Sequence, residues 1–169
     1  MAENELQALV RAMKHARGMS GGMLKKLNAL EGFDPKRVFT VGEQRLNSVY
    51  WLTGHIAWAQ NNLVLRSTGG PNPELPWLKL FGLGKPAEEA ETNGPSWEEV
   101  QAGFAKVHEL ALAHLETLDA EFLAQPNPAG FTWAGEGEVR TAIRHSVTHE
   151  GMHTGHIGWL CKLYGVKLI

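Results

Sequence analysis

The sequence has little cysteine, no long apolar run and no excess of charge of one sign, and each of these absences excludes a class of protein. Its one cysteine, Cys161, cannot form an internal disulfide, so we expect a reducing compartment, the cytoplasm. No apolar run approaches the roughly 18 residues of a membrane span. The opening MAENELQALV lacks the basic and then apolar order of a secretory signal. Sixteen Lys and Arg against eighteen Asp and Glu give a formal charge of −2, which argues against nucleic-acid binding because that normally needs a basic face.

What the sequence does contain is enough apolar residues for one core, arranged with helical periodicity. A chain of 169 residues, of which 43 % are apolar, predicts a single domain over residues 1–169. The spacing of apolar residues predicts four helices, at about 3–30, 46–66, 97–122 and 138–164, with a weak point in the first at Ser20-Gly21-Gly22 and no convincing strand. Ser96 and Glu99 form a capping box at the start of the third helix. We therefore predict an all-α fold, a four-helix bundle, whose core commonly hosts metal or cofactor sites.

A long crossover joins the second and third predicted helices. Residues 67–94 include four prolines together with Trp77 and Phe81. Loops longer than about 12–15 residues in compact domains are usually functional or disordered, and the aromatic content here favours packing. Two interpretations are open: a lid over one end of the bundle, or a crossover draped on its surface.

Histidine is concentrated near the end of the chain, where four of the eight lie within the last 25 residues. In His149-Glu150-Gly151-Met152-His153 two imidazoles lie one turn apart on one helix face, a spacing at which both can reach one ion at about 2.0–2.1 Å. His145 and His156 share this face, but the four span about 16 Å along the axis, too far for a single ion. The pattern therefore indicates a metal pair at His149 and His153, and the alternative is a polar stripe facing solvent.

A third ligand has to come from upstream. The longer protease form of the motif requires Gly at 156 and His at 159, where this chain has His156 and Trp159, so the protease interpretation fails. His55 is the best candidate, because it lies mid-helix on an otherwise apolar stripe where a buried polar group needs a partner. The alternative is a core histidine satisfied by hydrogen bonds. Trp58, one turn from His55, is expected to wall the pocket.

Two further residues are candidates for catalysis. Glu150 points about 100° away from His149, so it either faces solvent or orients a ligand. His156 lies about 4.5 Å along the axis from His153 and about 60° around it. That position favours a role outside the coordination sphere, orienting a bound water or thiol or moving its proton, and the alternative is a residue that only packs.

Two sequence segments together resemble the DinB-like (DinB/YfiT-like) superfamily: Gly54-His55-Ile56-Ala57-Trp58-Ala59 and His149-Glu150-Gly151-Met152-His153-Thr154-Gly155-His156-Ile157. The resemblance implies a four-helix bundle that binds a divalent ion through one His of the second helix and two of the fourth. Carried over by position, these are His55, His149 and His153. Members often have Arg-Gly-Gln after the last ligand, where this chain has Thr154-Gly155-His156. The resemblance also implies a homodimer.

Three functions remain open at this stage. The first is an enzyme in which three imidazoles hold Zn, Ni or Fe and the ion activates a water or a low-molecular-weight thiol, as the hydrolase and thiol S-transferase types require. The resemblance points the same way, since the superfamily includes thiol S-transferases and a thiol-dependent isomerase; the partner is then a small molecule such as a thiol. The second is a non-catalytic stress protein that binds a metal or small ligand. The third is a structural bundle whose His stripe is incidental.

Overall fold

Four long helices form a bundle, and at the starts of three of them a side chain caps free backbone amides. The computed structural model describes residues 4–130, 132–133 and 135–168. The long helices are α1 (Glu5–Asn28), α2 (Val49–Gln60), α4 (Trp97–Leu115) and α5 (Val139–Leu163), and α3 is the short helix Ala87–Asn93. Asn4 and Gln7 form a capping box on α1, and Ser96 and Glu99 form the predicted one on α4. At α2 the Ser48 hydroxyl accepts a hydrogen bond from the backbone N–H of Trp51.

The core lies where α1 packs against α5 and where α2 packs against both α4 and α5. Its largest fully buried side chains include Tyr50, Ile56, Leu115 and Ile157, which come from three of the four helices. The predicted all-α four-helix bundle is therefore confirmed. None of the helices in the described part of the chain is both long and apolar enough to cross a membrane.

The structure differs from the predicted elements in several places. A small antiparallel ladder joins β1 (Thr40–Val41) to β2 (Gln44–Arg45), with Thr40 opposite Arg45, so the expectation of no strand is wrong. Two-residue strands are too short to show the alternation that identifies a strand in sequence. The third predicted helix ends at Leu115, and a separate 3-10 turn covers Ala120–Ala124. The weak point expected in α1 is absent, because Gly21 and Gly22 lie within one continuous helix.

The second predicted helix changes its winding partway along. After α2 the chain makes a π-helical turn over Asn61–Leu65 and a 3-10 turn over Arg66–Thr68. Gly69 ends the run in the left-handed conformation, at φ 68°, which glycine adopts without strain. The chain thus stays helical for about the predicted length, but only its first part is α-helix.

The crossover segment 67–94 packs into the core. It contains a 3-10 helix at Pro76–Phe81 as well as α3, and both contact α2. Leu78, Phe81 and Ala90 are buried. The Glu91 carboxylate accepts hydrogen bonds from Arg45 and Ser48, which join α3 to the ladder and to the start of α2. The interpretation as a crossover merely draped on the surface is therefore wrong.

Candidate metal centre

Three imidazoles from two helices converge in the bundle. His55 comes from α2, and His149 and His153 come from α5; one ring nitrogen from each lies within 4.8 Å of the other two. The ring centroids are 5.0 Å apart for His55 and His149, and 4.5 Å apart for His149 and His153. His55 and His153 are buried, and His149 is half-buried. The three predicted ligands are thus brought together.

The hydrogen bonds of these rings fit a metal-binding role. Nδ1 of His55 donates to the backbone carbonyl of Phe81 at 2.7 Å, and since a carbonyl can only accept, the proton is on Nδ1 and the lone pair on Nε2. A ligand histidine characteristically donates its other N–H in this way. Nitrogens bound tetrahedrally to one ion at about 2.1 Å are about 3.4 Å apart, so small side-chain rotations bring the three donors to that spacing. The residues present therefore fit a divalent ion.

The surroundings keep the three rings uncharged. Burial, followed by the charges of His55 and His145, lowers the pKa of His149 to about 4. Burial also lowers the pKa of His153, to about 3, with His149, His55 and His156 adding to the effect. For His55 burial lowers the pKa, although the bond to the Phe81 carbonyl opposes it. Neutral imidazole is the form that ligates metals, so all three rings have lone pairs available near neutral pH.

Two indole rings lie against His55. The Trp51 ring stacks on it with centroids 4.4 Å apart and planes at 13°, and the Trp58 ring with centroids 5.4 Å apart and planes at 19°. Trp58 therefore lies where the predicted wall was placed, and Trp51 adds a second wall. The position of Trp51 on the apolar stripe of α2 is the feature of the sequence that could have identified it. Its buried Nε1 has no hydrogen-bond partner among the described residues.

The two candidate catalytic residues lie in different surroundings. His156 is exposed and next to the cluster, with its Nδ1 3.2 Å from Nδ1 of His153. Glu150 is only 2 % exposed, and its carboxylate accepts hydrogen bonds from Arg17 and Ser20 of α1. The structure thus places His156 beside the centre and turns Glu150 toward α1, which excludes the solvent-facing alternative. The catalytic role of each stays a prediction.

The other histidines lie outside the cluster. His145 stacks on Trp133, with its ring 5.8 Å from that of His149. His15 is exposed on α1. His108 bonds the side chain of Gln60 at 3.1 Å, and the His114 ring contacts the carbonyl of Thr68 at 3.3 Å. Each therefore has a structural explanation of its own or faces solvent.

Gly54 is a position where the structure requires the absence of a side chain. A Cβ there would fall well inside van der Waals contact with the Phe81 ring, which is fully buried. We expect Gly54→Ala to displace Phe81, and with it the carbonyl that orients His55. The expected result is a loss of about 1–3 kcal/mol in unfolding free energy and a 10- to 100-fold loss of metal affinity, measured by denaturant titration and calorimetry.

Gly155→Ala is the matched control. Gly155 lies on α5 close to the cluster, but a Cβ there meets no atom within 4 Å, and the same is true of Gly151. Glycines on a helix that carries candidate ligands suggest that a ligand or another helix approaches closely there. Neither of these two glycines marks such an approach. Alanine at 155 should raise helix stability by up to about 1 kcal/mol and leave metal affinity unchanged. Equal effects of the two substitutions would contradict the role assigned to Phe81.

The fold and the cluster define a helical-bundle protein with a histidine site compatible with metal binding. The family model of the DinB superfamily matches residues 23–157, which is most of the chain and includes all three histidines. The chain therefore belongs to the DinB superfamily. Comparison with curated protein sequences gives no significant match.

Proposed function

We propose that the protein is a metal-dependent enzyme that activates a water or a low-molecular-weight thiol for attack on a small-molecule substrate, as hydrolases and thiol S-transferases do. One observation carries the proposal. Three neutral imidazoles face one another, and the Phe81 carbonyl fixes the His55 ring with Nε2 free to bind. Membership of the DinB superfamily supports the same proposal.

The donor set limits the ion that the site would hold. Three nitrogen donors without thiolate or carboxylate suit borderline ions, so Zn, Ni or Fe is the proposed cofactor. A divalent ion held there acts as a Lewis acid, which lowers the pKa of water or thiol and so supplies a nucleophile near neutral pH. His55, His149 and His153 would hold it.

The remaining residues of the site position groups and move protons. Trp51 and Trp58 cover the His55 ring and exclude water from that side. With Nε2 of His153 kept free to bind, its Nδ1–H donates to Nδ1 of His156, so Nε2 of His156 carries a proton that it can give to a leaving group. Its exposure gives a substrate access to that nitrogen.

Metal content and turnover measured on the same preparation test the proposal. The protein, purified without a polyhistidine tag, is expected to contain close to one divalent ion per chain by elemental analysis. Loaded protein should turn over at least one member of a panel of esters, amides and electrophiles with and without thiols. Stoichiometric metal without turnover on the panel would favour the non-catalytic binding protein instead. Absence of metal would overturn the proposed enzyme and the metal-binding form of the alternative.

His156→Ala separates proton transfer from metal binding. We expect this variant to keep its metal, since His156 is outside the cluster, and to lose about 10²–10⁴-fold in kcat if the residue acts as a general acid or base. Elemental analysis and rates between pH 6 and 8 check both statements. Loss of metal would make His156 a ligand, and unchanged rates over this range would leave it a packing residue.

A further inference from the structure

A second feature lies beside the histidine cluster: a cavity of about 530 Å³ that the function proposed above does not use. It opens between the β1–β2 ladder and the neighbouring parts of α2 and α5. Its volume falls within the 300–1,000 Å³ typical of small-molecule pockets. Its walls are mostly apolar and include Val41, Leu52, His156, Trp159, Leu160 and Leu163.

The cavity adjoins the candidate metal centre at His156. His156 lines the cavity, and its ring bonds that of His153. On α2, Leu52 lines the cavity and precedes His55 by three residues, which is about 4.5 Å along the helix axis. A molecule seated in the cavity thus has one end about one helical turn from the cluster.

The charge of the cavity decides what kind of molecule fits it. Arg45 lies in the lining, but its guanidinium is paired with Glu88 at 3.0 Å and with Glu91 at 2.5 Å. The amide of Asn47 and the imidazole of His156 are left as polar groups of the lining. An uncharged occupant with few hydrogen-bonding groups therefore matches the cavity better than an anion or a cation.

The rim exposes apolar side chains to a degree that needs an explanation. Val41 is 63 % exposed, Trp159 is 66 % exposed and Leu163 is 45 % exposed. Single exposed apolar residues are normal, but several around one concave opening indicate a binding surface. A second copy of the chain would favour a broad, flat patch, whereas this opening is concave and has His156, the neighbour of the cluster, in its wall.

We propose that this cavity binds the apolar body of the substrate, an aryl or alkyl group, and that the substrate's polar, reactive end reaches the histidine cluster past His156. The binding half of this inference stands on the cavity alone. The placement of the reactive end rests on the proposed function.

Binding of a neutral apolar fluorophore, N-phenyl-1-naphthylamine, tests the binding half. We expect its emission to rise on addition of the full-length protein, with saturation at one molecule per chain. Leu163→Gln removes an apolar rim contact without touching the core and should weaken binding roughly tenfold. Met152→Gln is the matched control, because Met152 is 54 % exposed on the same helix but does not line the cavity. It should bind the fluorophore within twofold of the unmodified protein.

Two further measurements separate the possible failures. His55→Ala should lose metal but still bind the fluorophore, so failure of the metal centre and failure of the cavity give different results. Equal binding by Leu163→Gln and Met152→Gln would overturn the inference. So would sedimentation analysis that finds a dimer converted to monomer by Leu163→Gln, since a second copy of the chain would then occupy the cavity.

The placement of the reactive end is tested with the reaction that the substrate panel reveals. In a series of substrates with one reactive group and alkyl chains of increasing length, kcat/KM should rise with chain length for the unmodified protein. Leu163→Gln should flatten that rise, whereas Met152→Gln, which lies outside the cavity, should keep it. A rise that is the same in Leu163→Gln and the unmodified protein would overturn the assignment.

Discussion

Replacing His55 by alanine is expected to remove stoichiometric divalent metal from the protein. His55 is the only member of the described cluster that α2 supplies, so the variant keeps just two donors, both on α5. Loss of a residue that merely orients a ligand already costs 10- to 100-fold in affinity, so loss of the ligand itself should cost more than about 100-fold. Elemental analysis of untagged protein and competition with a chelator of known affinity measure the effect.

The matched control for this substitution is His15→Ala. His15 is exposed on α1, so its removal should leave metal content and affinity unchanged. His149→Ala should behave like His55→Ala, because the two rings face each other with centroids 5.0 Å apart. Circular dichroism shows whether each variant is folded. Full metal content in folded His55→Ala would exclude His55 as a ligand.

Glu150→Ala should be among the most destabilising single substitutions in the chain, at a cost of about 3–5 kcal/mol in unfolding free energy. The Glu150 carboxylate is paired with the Arg17 guanidinium at 2.8 Å, and both side chains are nearly inaccessible to water. Burial lowers the pKa of Arg17, while the charge of Glu150 and its hydrogen bond oppose that shift. Removing the carboxylate leaves a buried positive charge without its partner.

Denaturant titration of three variants isolates this effect. The double variant Arg17→Met/Glu150→Leu removes both charges and should be more stable than Glu150→Ala, since apolar groups of similar volume can replace a buried ion pair. Glu109→Ala, at an exposed position of α4, should change stability by less than about 0.5 kcal/mol. A loss below about 1 kcal/mol for Glu150→Ala would show that the pair does not hold α1 against α5.

The same pair bears on the candidate metal centre through the rotation of α5. Glu150 faces α1, and the 100° step between neighbouring helical residues turns His149 toward α2. Arg17 also donates to Gln60 of α2 and to the backbone carbonyl of Phe104 of α4, so one guanidinium contacts all three neighbouring helices. We therefore expect Glu150 to act as a positioning residue for His149. Metal content of the folded fraction of Glu150→Gln separates that role from participation in chemistry.

Short-range spacing explains why much of the site was predictable. His149 and His153 are four residues apart, so helical geometry alone puts them on one face. His55 stood out as a polar residue on an apolar stripe of its own helix. Its convergence with the α5 pair depends on how two distant helices pack, so on its own helix His55 was only the best candidate, and the family resemblance implied the same residue.

Long-range and backbone contacts explain what was not predictable. Every residue has a carbonyl, so nothing in the sequence marks that of Phe81 as the acceptor for His55. Arg17 lies on the buried face of α1, four residues from Met13. A charge on an apolar stripe is a signal for a buried ion pair, but its partner Glu150 lies 133 residues away.

Because two indoles stack on His55, tryptophan fluorescence can report on the candidate metal centre. Trp51 and Trp58 lie on either side of this imidazole along α2, close enough for their emission to respond to what the ring binds. The other four tryptophans belong to other segments of the chain and contribute a background. An ion with unpaired d electrons, such as Ni²⁺, quenches nearby indoles, whereas Zn²⁺ does not. Fluorescence of the unlabelled protein can therefore both follow loading and distinguish these two ions.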